Sequence, residues 1–383
     1  MKKLAIIGAS YLQAPLILRA REMGLETLVF AWAAGDVGEK LADHFYPISI
    51  VEKEAILEVC RREKIDGICS IASDLASVTV GYVADALGLS GNTPECVRLS
   101  TRKNDMREAF RLRGDPSPRS VPVSAPEDLD GLGMRYPLIV KPLDRSGSRG
   151  ITLVDSPEGL GAAIAGAIEQ GFEKGALAEE FARGEEYSVE CLSWQGEHRL
   201  LAVTKKYTTG APHFIETGHL EPADLSPETL ERVRETVFHA LSSLKVRCGA
   251  SHSELKIDAD GTLRLIEIGA RMGGDLIGSH LVPLSTGVDF VGDVIRAALG
   301  ETPSVFRDGV PAAGRAAAVR FVFGEADLAD LARLKRERPE LLIGEEIQPL
   351  TGAPVTDSSA RFGYWLMAAP KGDDLLPWMT RFQ

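Results

Sequence analysis

A tight-turn signal near the middle of the chain sets the pairing of two strand-like segments. Asp260-Gly261 separates residues 251–257, in which polar and apolar residues alternate, from residues 262–268, which are also strand-like. A dipeptide of this type between two such segments is a strong signal for a β-hairpin. If Asp260 and Gly261 are the two loop residues, counting back along both strands places Glu254 opposite Glu267. The pattern therefore predicts an antiparallel hairpin with two carboxylates side by side on one face.

The opposed glutamates are the first candidate for a functional site. In the same register Leu255 pairs with Ile266 on the other, core-facing side. Like charges directly opposite each other destabilise a sheet by about 0.2–1 kcal/mol, unless a cation lies between them. Carboxylate oxygens on a rigid sheet suit Mg²⁺, which keeps several waters and bridges to substrate phosphates. Glu254 and Glu267 therefore indicate a magnesium site or, as the alternative, a solvated face on which the two side chains point apart.

Length and composition are typical of a globular protein of two or three domains. The chain has 383 residues, of which 44% are hydrophobic and 26% are charged. The formal charge of -12 argues against generic nucleic-acid binding, which calls for a clustered basic face. The start of the chain reads as a first strand and not as a secretion signal, and no apolar run approaches the roughly 18 residues of a membrane span. We therefore expect a cytoplasmic protein that binds neither nucleic acid nor membrane.

The cysteines argue against a disulfide framework and against a structural zinc site. They are odd in number and lie far apart in the sequence: Cys60, Cys69, Cys96, Cys191 and Cys248. Disulfide scaffolds and zinc sites usually show paired or closely spaced cysteines. We expect buried, reduced thiols.

The first hundred residues alternate between strand-like and helix-like segments. Strand-like segments at 4–7, 26–31 and 67–71 are separated and followed by helix-like segments at 14–23, 53–63 and 78–87. This alternation predicts a parallel βαβ sheet. Gly8-Ala9-Ser10 follows the first strand, but the remaining glycines of a dinucleotide fingerprint are absent, which disfavours a dehydrogenase. Ser73-Asp74 follows the third strand, where open α/β sheets bind ligands, although a helix N-cap explains this pair equally well.

A second group of motifs indicates a phosphate-binding hairpin. Lys103 opens a helix, a strand ends at Lys141, and the loop Ser146-Gly147-Ser148-Arg149-Gly150 leads into another strand. Small residues between two strands allow backbone N–H groups to approach an anion, and a lysine supplies a point charge. The alternative is a flexible surface hairpin. The G-K-[ST] sequence of a Walker loop is absent.

The order of these motifs resembles the ATP-grasp superfamily of carboxylate–amine ligases. Lys103 is followed by Val140-Lys141-Pro142, the glycine-rich hairpin, the acidic segment 179–186, and then Glu254 and Glu267. The resemblance covers roughly residues 1–300. It implies an α/β and α+β chain with an N-terminal parallel-sheet (pre-ATP-grasp) domain at 1–100, a linker helix and mobile lid subdomain at 101–188, and a C-terminal α+β lobe with the metal site at 189–300. A small α/β unit at 301–383 covers the active site or a homodimer interface, and the sequence leaves both alternatives open.

The resemblance also implies roles for individual residues in binding ATP and Mg²⁺, or Mn²⁺ in its place. Lys103 and Lys141 would contact the phosphates, and the loop containing Ser146, Gly147, Ser148 and Gly150 would fold over them. Glu179, with the backbone of Phe181 and Ala182, would meet the adenine edge, and Glu186 would accept hydrogen bonds from the ribose hydroxyls. Glu254 and Glu267 would hold the metal ions.

One position departs from the pattern of the superfamily. Many members carry an asparagine two residues after the second glutamate as a further metal ligand, whereas this chain has Gly269. A water can fill such a position on Mg²⁺. The departure leaves the number of bound metal ions open.

Arg271 is the candidate catalytic residue beside Lys141. A guanidinium matches the charge spread over a transferring phosphoryl group or an acyl phosphate, and Gly273 and Gly274 would line a pocket next to it. The alternative is an ion pair between Arg271 and Asp275 or a nearby glutamate.

The segment 205–219 resembles the region that binds amino-acid substrates in the L-amino-acid (dipeptide) ligases of the superfamily. Glu216 would hold a substrate ammonium group, and His213 or His219 would shape a side-chain pocket. The spacing of these three residues also permits zinc, although Pro212 and Gly218 disfavour the regular helix that would align them.

These observations predict an ATP-dependent ligase that joins a carboxylate to an amine, with amino acids as the substrates, through an acyl phosphate. No covalent protein nucleophile is required, since catalysis of this kind rests on positioning and charge neutralisation. Two alternatives stay open. One is a purine-biosynthesis or carbamoyl-phosphate-type enzyme that uses bicarbonate or formate, and the other is an inactive ATP-binding regulatory module.

Overall fold

A parallel sheet forms the N-terminal part of the structure, a computed structural model that describes residues 1–145, 149–211 and 214–379. The strands are β1 (Lys3–Ile7), β2 (Glu26–Phe30), β3 (His44–Tyr46) and β4 (Gly67–Cys69), in the spatial order β3-β2-β1-β4. The helices are α1 (Ala14–Glu22), α2 (Val37–Leu41), α3 (Lys53–Glu63) and α4 (Asp74–Leu87). Strands buried on both faces are apolar runs, and this sheet confirms the predicted βαβ pattern. Helix α2 and strand β3 were missing from the prediction because both are short.

A small antiparallel sheet follows two linking helices. The helices are α5 (Pro94–Thr101) and α6 (Lys103–Arg113), and the strands are β5 (Ser120–Val123), β6 (Leu138–Pro142), β7 (Thr152–Val154) and β8 (Ala176–Glu180), in the order β5-β8-β6-β7. Helix α7 (Leu160–Gln170) covers one face of the sheet with an apolar stripe spaced at the helical period. The other face is left to the cleft described below.

The remainder of the chain builds one large sheet. Its strands are β9 (Glu185–Trp194), β10 (Glu197–Thr208), β11 (Glu216–Glu221), β12 (Gly249–Ile257), β13 (Leu263–Gly269), β14 (Ala316–Phe321), β15 (Leu342–Ile347) and β16 (Gly363–Ala369). Their order is β13-β12-β9-β10-β11-β14-β16-β15. The associated helices are α8 (Pro227–Ser243), α9 (Val282–Thr286), α10 (Phe290–Ala298), α11 (Ser304–Arg307) and α12 (Glu325–Glu337), with one π-helical turn at Ile277–Leu281. The strands of the last eighty residues thus extend the large sheet and do not form a sheet of their own.

The central hairpin has the predicted glutamate pair but a different turn. Glu254 lies opposite Glu267, as expected, whereas Leu255 pairs with Leu265 because Ile266 is the extra residue of a β-bulge. The loop also contains three residues and not two, since the N–H of Asp258 donates to the carbonyl of Thr262. Gly261 supplies the left-handed conformation, with a φ of 81°, that such loops require. The extra loop residue and the bulge at Ile266 each shift the register by one residue, and the two shifts cancel at Glu254. The predicted Glu254–Glu267 pair is therefore confirmed, and the predicted Leu255–Ile266 pair is wrong.

Packing between the layers places the functional elements around one cleft. One face of the N-terminal sheet and helix α10 share an apolar core with the large sheet, through residues such as Val29, Leu192 and Phe290. Helices α6 and α8 pack against the same large sheet through a second core that includes Phe110, Val237 and Leu265. Helix α6 is therefore fixed beneath the hairpin, which places its first residue, Lys103, next to β13.

The predicted burial of the cysteines is confirmed for four of the five. All five are free thiols, and four of them are buried, with Cys248 half-buried. Along the described ranges, none of the helices combines the length and the apolar character needed to cross a membrane.

Candidate active site

A cavity of about 170 Å³ lies where the small sheet, the large sheet and the N-terminal domain meet. Most of the residues predicted for the site line this single cavity: Lys103, Lys141, Glu179, Phe181, Ala182, Glu186, Glu216, Glu254, Glu267 and Arg271. They come from segments that are far apart in the sequence, and the packing of α6 and the two sheets brings them together. The structure thus assembles one site from motifs that the sequence shows only in order.

The paired glutamates face the cavity, and each contacts a lysine. The ammonium group of Lys103 lies 2.5 Å from the Glu267 carboxylate, and that of Lys206 lies 2.6 Å from the Glu254 carboxylate. The two glutamate side chains are only 25% and 27% exposed. Burial raises the pKa of Glu254, but Lys206 and His252 outweigh burial and hold that pKa well below its ordinary value. This arrangement argues against the solvated-face alternative.

Lys141 is held by a buried carboxylate that is shared with Arg107. Glu179 accepts from Nζ of Lys141 and from Nε of Arg107, both at 2.5 Å, and all three side chains are almost fully buried. Burial alone raises the pKa of Glu179, but the two cations lower it to about 2. Both oxygens of Glu179 are thus engaged by cations, which differs from the adenine contact that the resemblance implies for this side chain.

Arg107 is a site residue that sequence reasoning missed. It lies one helical turn after Lys103 on α6, and its Nη2 also donates to the carbonyl of Ile266 at 2.5 Å. The carbonyl belongs to the bulge residue of the hairpin, so Arg107 joins the small sheet to the hairpin of Glu254 and Glu267. The available signal was the i, i+4 spacing of two cationic residues on one face of a helix.

Lys206 is a second residue that the sequence did not single out. Its buried ammonium group lies 2.9 Å from Glu186, 2.6 Å from Glu254 and 3.6 Å from Glu216. Burial disfavours the charged form, but the three carboxylates outweigh burial and raise the pKa of Lys206 well above its ordinary value. One fixed cation therefore links the predicted ribose, metal and substrate residues.

Arg271 forms a two-point ion pair with Asp74 of the N-terminal domain. Its Nε and Nη2 donate to the two oxygens of Asp74 at 2.8 Å and 3.0 Å. Ser73 caps helix α4 by accepting from the N–H of Ala76, so the N-cap alternative is correct for Ser73, whereas Asp74 reaches the cavity. The partner of Arg271 is thus Asp74, while Asp275 pairs with Arg361.

The same pair explains why position 269 is a glycine. A Cβ atom at Gly269 would meet the Asp74 carboxylate at 2.8 Å and Nε of Arg271 at 3.3 Å. In proteins a Cβ atom essentially never lies within 3.0 Å of such an atom. The Asp74–Arg271 pair occupies the space that a side chain at 269 would need.

His252 and Glu190 lie behind the hairpin of Glu254 and Glu267, and the sequence did not single them out. The His252 imidazole hydrogen-bonds to Glu190 through Nδ1, and its Nε2 lies 3.4 Å from the Glu254 carboxylate. The N–H of Gly273 donates to the other oxygen of Glu190 at 3.0 Å. A Cβ at Gly273 would lie 2.5 Å from Glu190, so this glycine serves close packing behind the site. His252 precedes Glu254 by two residues on β12, and that spacing was the available signal.

The end of the cavity that contains Phe181 is suited to a flat aromatic group. The rings of Phe181 and Phe214 lie 6.2 Å apart, and Nζ of Lys256 lies 5.0 Å from the centre of the Phe181 ring. Ala182 lies next along the wall, and Glu186 lies 2.9 Å from Lys206. An apolar slot with a carboxylate at one side can hold a nucleoside base and its sugar.

Part of the glycine-rich loop lies outside the described residues. Ser146, Gly147 and Ser148 belong to that part, and His213 lies in the other gap of the described chain. Gly150 has a φ of 69°, and a Cβ there would meet Pro142 at 2.9 Å. A glycine is therefore required where the loop enters β7.

A second cavity, of about 380 Å³, adjoins the first. Arg271, Lys206 and Glu216 line both cavities, and the second one adds Gly274, Asp275 and the predicted substrate residue His219. Arg271 therefore stands at the boundary between the two cavities.

The donor set of the first cavity suits Mg²⁺. Glu254 and Glu267 supply two carboxylates, and across the described ranges no group of three or more His, Cys, Asp or Glu side chains is placed to hold a metal. Mg²⁺ is usually bound by one or two carboxylates together with waters and substrate phosphates. The residues present fit a metal that arrives with a polyphosphate.

Comparison with known proteins agrees with this geometry. Residues 134–279 match the family model of the ATP-grasp domain. The chain carries an ATP-grasp domain, and its sheets have the ATP-grasp fold.

Two relatives narrow the comparison. Alanine–anticapsin ligase of Bacillus subtilis is 27% identical over 278 residues, a match that covers 62% of this chain and 58% of that enzyme. The chain thus matches little more than half the length of this curated relative. The crystal structure of an L-amino acid ligase from Bacillus licheniformis aligns over 100% of this chain and 97% of its own, with a TM-score of 0.84 and 25% identity.

A third similarity concerns the fold alone. The biotin carboxylase domain of the Hydrogenobacter thermophilus 2-oxoglutarate carboxylase was solved with MgADP, ADP and bicarbonate. It aligns over 96% of this chain and 86% of its own, with a TM-score of 0.76 and 18% identity.

Proposed function

We propose that the protein is an ATP-dependent ligase that joins the carboxylate of one amino acid to the amine of another and releases ADP and phosphate. The observation that carries the proposal is the convergence of Glu254 and Glu267 with two buried lysines, Lys103 and Lys141, in a cavity that opens into a second one at Arg271. The similarity to an amino-acid ligase over the whole chain and to alanine–anticapsin ligase over part of it supports this assignment.

The reaction has two steps, phosphorylation of the carboxylate and displacement of phosphate by the amine. An oxygen of the substrate carboxylate attacks the γ-phosphorus of ATP, the bond to the bridging oxygen breaks, and ADP leaves with that electron pair. The amine nitrogen then attacks the carbonyl carbon of the acyl phosphate, and the C–O bond to phosphate breaks. Phosphate leaves and the amine loses one proton, which gives the amide.

The lysines and Arg271 act by placing positive charge where phosphate charge develops. Glu179 pairs with both Lys141 and Arg107, so the ammonium group of Lys141 keeps one position. Fixed charges in a closed site stabilise a transferring phosphoryl group without reorganising during the reaction. Arg271, fixed by Asp74 at the boundary of the two cavities, would hold the acyl phosphate while the amine approaches.

Glu254 and Glu267 would hold Mg²⁺, which when bound neutralises the charge of the ATP phosphates. The slot at Phe181 and Ala182 would receive the adenine, and Glu186 the ribose. Glu216 would bind a substrate ammonium group in the second cavity. ATP as the co-substrate and five reduced cysteines lead us to infer a cytoplasmic location.

The test is ADP release in the presence of Mg²⁺, ATP and pairs of amino acids. We expect release only when a suitable pair is present, and its loss in Lys141→Met and Glu267→Gln. Glu197→Gln is the matched control, since the Glu197 side chain is 70% exposed at the start of β10. Binding of Mn²⁺, followed by its paramagnetic resonance signal with ATP present, should weaken in Glu267→Gln and stay unchanged in the control. Full turnover by Glu267→Gln would refute the metal assignment.

The same assay separates the alternatives. A bicarbonate- or formate-dependent enzyme would release ADP with those carboxylates and without stimulation by amino acids. A regulatory module would bind ATP in a calorimetric titration and release no ADP with any carboxylate.

A further inference from the structure

The C-terminal part of the chain supplies one wall of the second cavity. The segment that runs from the helical turn at Ser358–Ala360 into strand β16 lines this cavity with Ser358, Ser359, Arg361, Gly363 and Tyr364. This segment reaches the cavity because β16 pairs with β14, which in turn pairs with β11, the strand of Glu216 and His219. The last eighty residues thus take part in the substrate space.

Arg361 is fixed in this wall and its donors are used internally. Its two terminal nitrogens donate to the two oxygens of Asp275 at 2.6 Å and 2.9 Å, and its Nε donates to the carbonyl of Ser358 at 2.7 Å. The guanidinium also lies 3.7 Å from the centre of the Phe321 ring, and its side chain is only 6% exposed. A cation held in this way does not move to a ligand, so its effect is to fix Asp275.

Asp275 keeps acceptor capacity toward the cavity. Its backbone lies in the left-handed region, with a φ of 49°, which is uncommon for a residue other than glycine. An ionised carboxylate has about four lone-pair positions, and Arg361 uses two of them. The Asp275 side chain is 22% exposed, so its remaining lone pairs can face a ligand.

His219 lies next to Asp275 with unused hydrogen-bonding groups. The side chain is buried, and within the described part of the chain neither ring nitrogen has a hydrogen-bond partner. Its Nε2 is 3.6 Å from Asp275, which is too long for a hydrogen bond. Buried polar atoms without a partner cost about 1–3 kcal/mol each, so this end of the cavity favours a ligand that satisfies them.

We propose that Arg361 and Asp275 form, with His219, a subsite that selects an amino-acid substrate whose side chain donates a hydrogen bond, such as an amide or a hydroxyl. The inference rests on the proposed ligase function and names the substrate class of its second cavity. An aliphatic side chain of equal size would desolvate the remaining lone pairs of Asp275 and the ring nitrogens of His219 without giving them a hydrogen-bond partner. A site built to hydrogen-bond a group discriminates strongly against the analogue that lacks it.

The first experiment uses the unmodified protein and pairs of amino acids of equal shape. Asparagine is compared with leucine, and threonine with valine, each offered with the same second amino acid in the ADP-release assay. We expect kcat/KM to be at least about tenfold higher for the polar member of each pair. A preference for leucine and valine would overturn this inference and leave the ligase function intact, whereas no ADP release with any amino acid would overturn both.

The second experiment replaces the ion pair between Asp275 and Arg361. The double variant Asp275→Leu with Arg361→Met replaces the ion pair by apolar side chains of similar volume, which buried pairs often tolerate. We expect the preference to shift toward leucine, with the KM for ATP unchanged. The control is Glu340→Leu with Arg338→Met, an exposed ion pair of the same region. An unchanged preference in a folded double variant would refute the role of the wall, and the wild-type comparison decides the proposal where the variant does not fold.

Discussion

Replacing Asp74 by asparagine tests whether the N-terminal domain positions Arg271. The change keeps the shape of the side chain and removes the charge that accepts two hydrogen bonds from the guanidinium, at 2.8 Å and 3.0 Å. Breaking a fully buried ion pair costs about 3–5 kcal/mol. The side chains of Arg271 and Asp74 are 15% and 20% exposed, so water compensates part of the lost interaction. We therefore expect the free energy of unfolding to fall by about 2–3 kcal/mol.

The effect on turnover should be as large as the effect on stability. Without Asp74, the guanidinium of Arg271 can move toward the carboxylates of the cavity, and a displacement of about 1 Å can lower a rate about 10²-fold. We expect kcat for ADP release to fall by about this factor, while the KM for ATP changes little because Lys103, Lys141 and the proposed adenine-binding residues are untouched. Stability is measured by urea unfolding and turnover by coupled ADP release.

The matched control is Asp85→Asn, which makes the same change at an exposed position of the same helix. Asp74 lies in the first turn of α4, where an acidic residue also interacts with the helix dipole by about 0.3–1 kcal/mol. A loss of stability below about 1 kcal/mol, together with normal kcat, would therefore show that Asp74 acts on its helix alone. That result would refute the coupling between the two domains.

Three further outcomes are expected. Folding lowers the pKa of Glu179 from 4.5 to about 2, so its charged form stabilises the fold fully above pH 4.5 and loses this effect as the pH drops toward 2. Glu179→Gln should therefore lower the free energy of unfolding by about 3 kcal/mol at pH 7. In urea titrations the difference from wild type should shrink below pH 4.5. Gly269→Asn should reduce ADP release and stability although it restores an asparagine, because the new Cβ would meet Asp74 at 2.8 Å; gain of activity would contradict the packing. A thiol reagent should modify the half-buried Cys248 before the four buried cysteines, and all five only in urea, with mass spectrometry as the readout.

The predictable part of the site consisted of residues that lie in short motifs. The hairpin register of Glu254 and Glu267 followed from one turn and from alternation, and Lys141 from its place at the end of a strand before a glycine-rich loop. Even there the turn had three residues, and a bulge at Ile266 compensated for the error. At the bulge, the Ile266 carbonyl accepts from Arg107 and the N–H of Leu265 donates to the carbonyl of Pro116. These partners lie outside the hairpin, so no pattern within the hairpin marks the bulge.

The sequence did not show which residues pair with one another across the fold. Asp74 and Arg271 are 197 residues apart in the chain, and Ser358 is 142 residues from the Glu216 carboxylate to which it donates. Lys206 lies within β10, and its three carboxylate partners come from three other strands. Each charge alone is compatible with a solvated surface, and only burial next to a particular partner gives it a role.

Local patterns in the amino-acid sequence were sufficient to predict the parallel N-terminal sheet, the pairing of Glu254 with Glu267, and the order of the lysine, glycine and carboxylate motifs. These features depend on turn chemistry and on periodicities of 2.0 and 3.6 residues, which act over a few neighbouring residues. Packing across the whole fold was needed to show that Asp74 holds Arg271, that Glu179 joins Arg107 to Lys141, and that the C-terminal strands supply one wall of the second cavity. Those contacts arise when whole layers pack against one another, and the free energy that selects them is shared among side chains from separate segments of the chain, up to 197 residues apart in the case of Asp74 and Arg271.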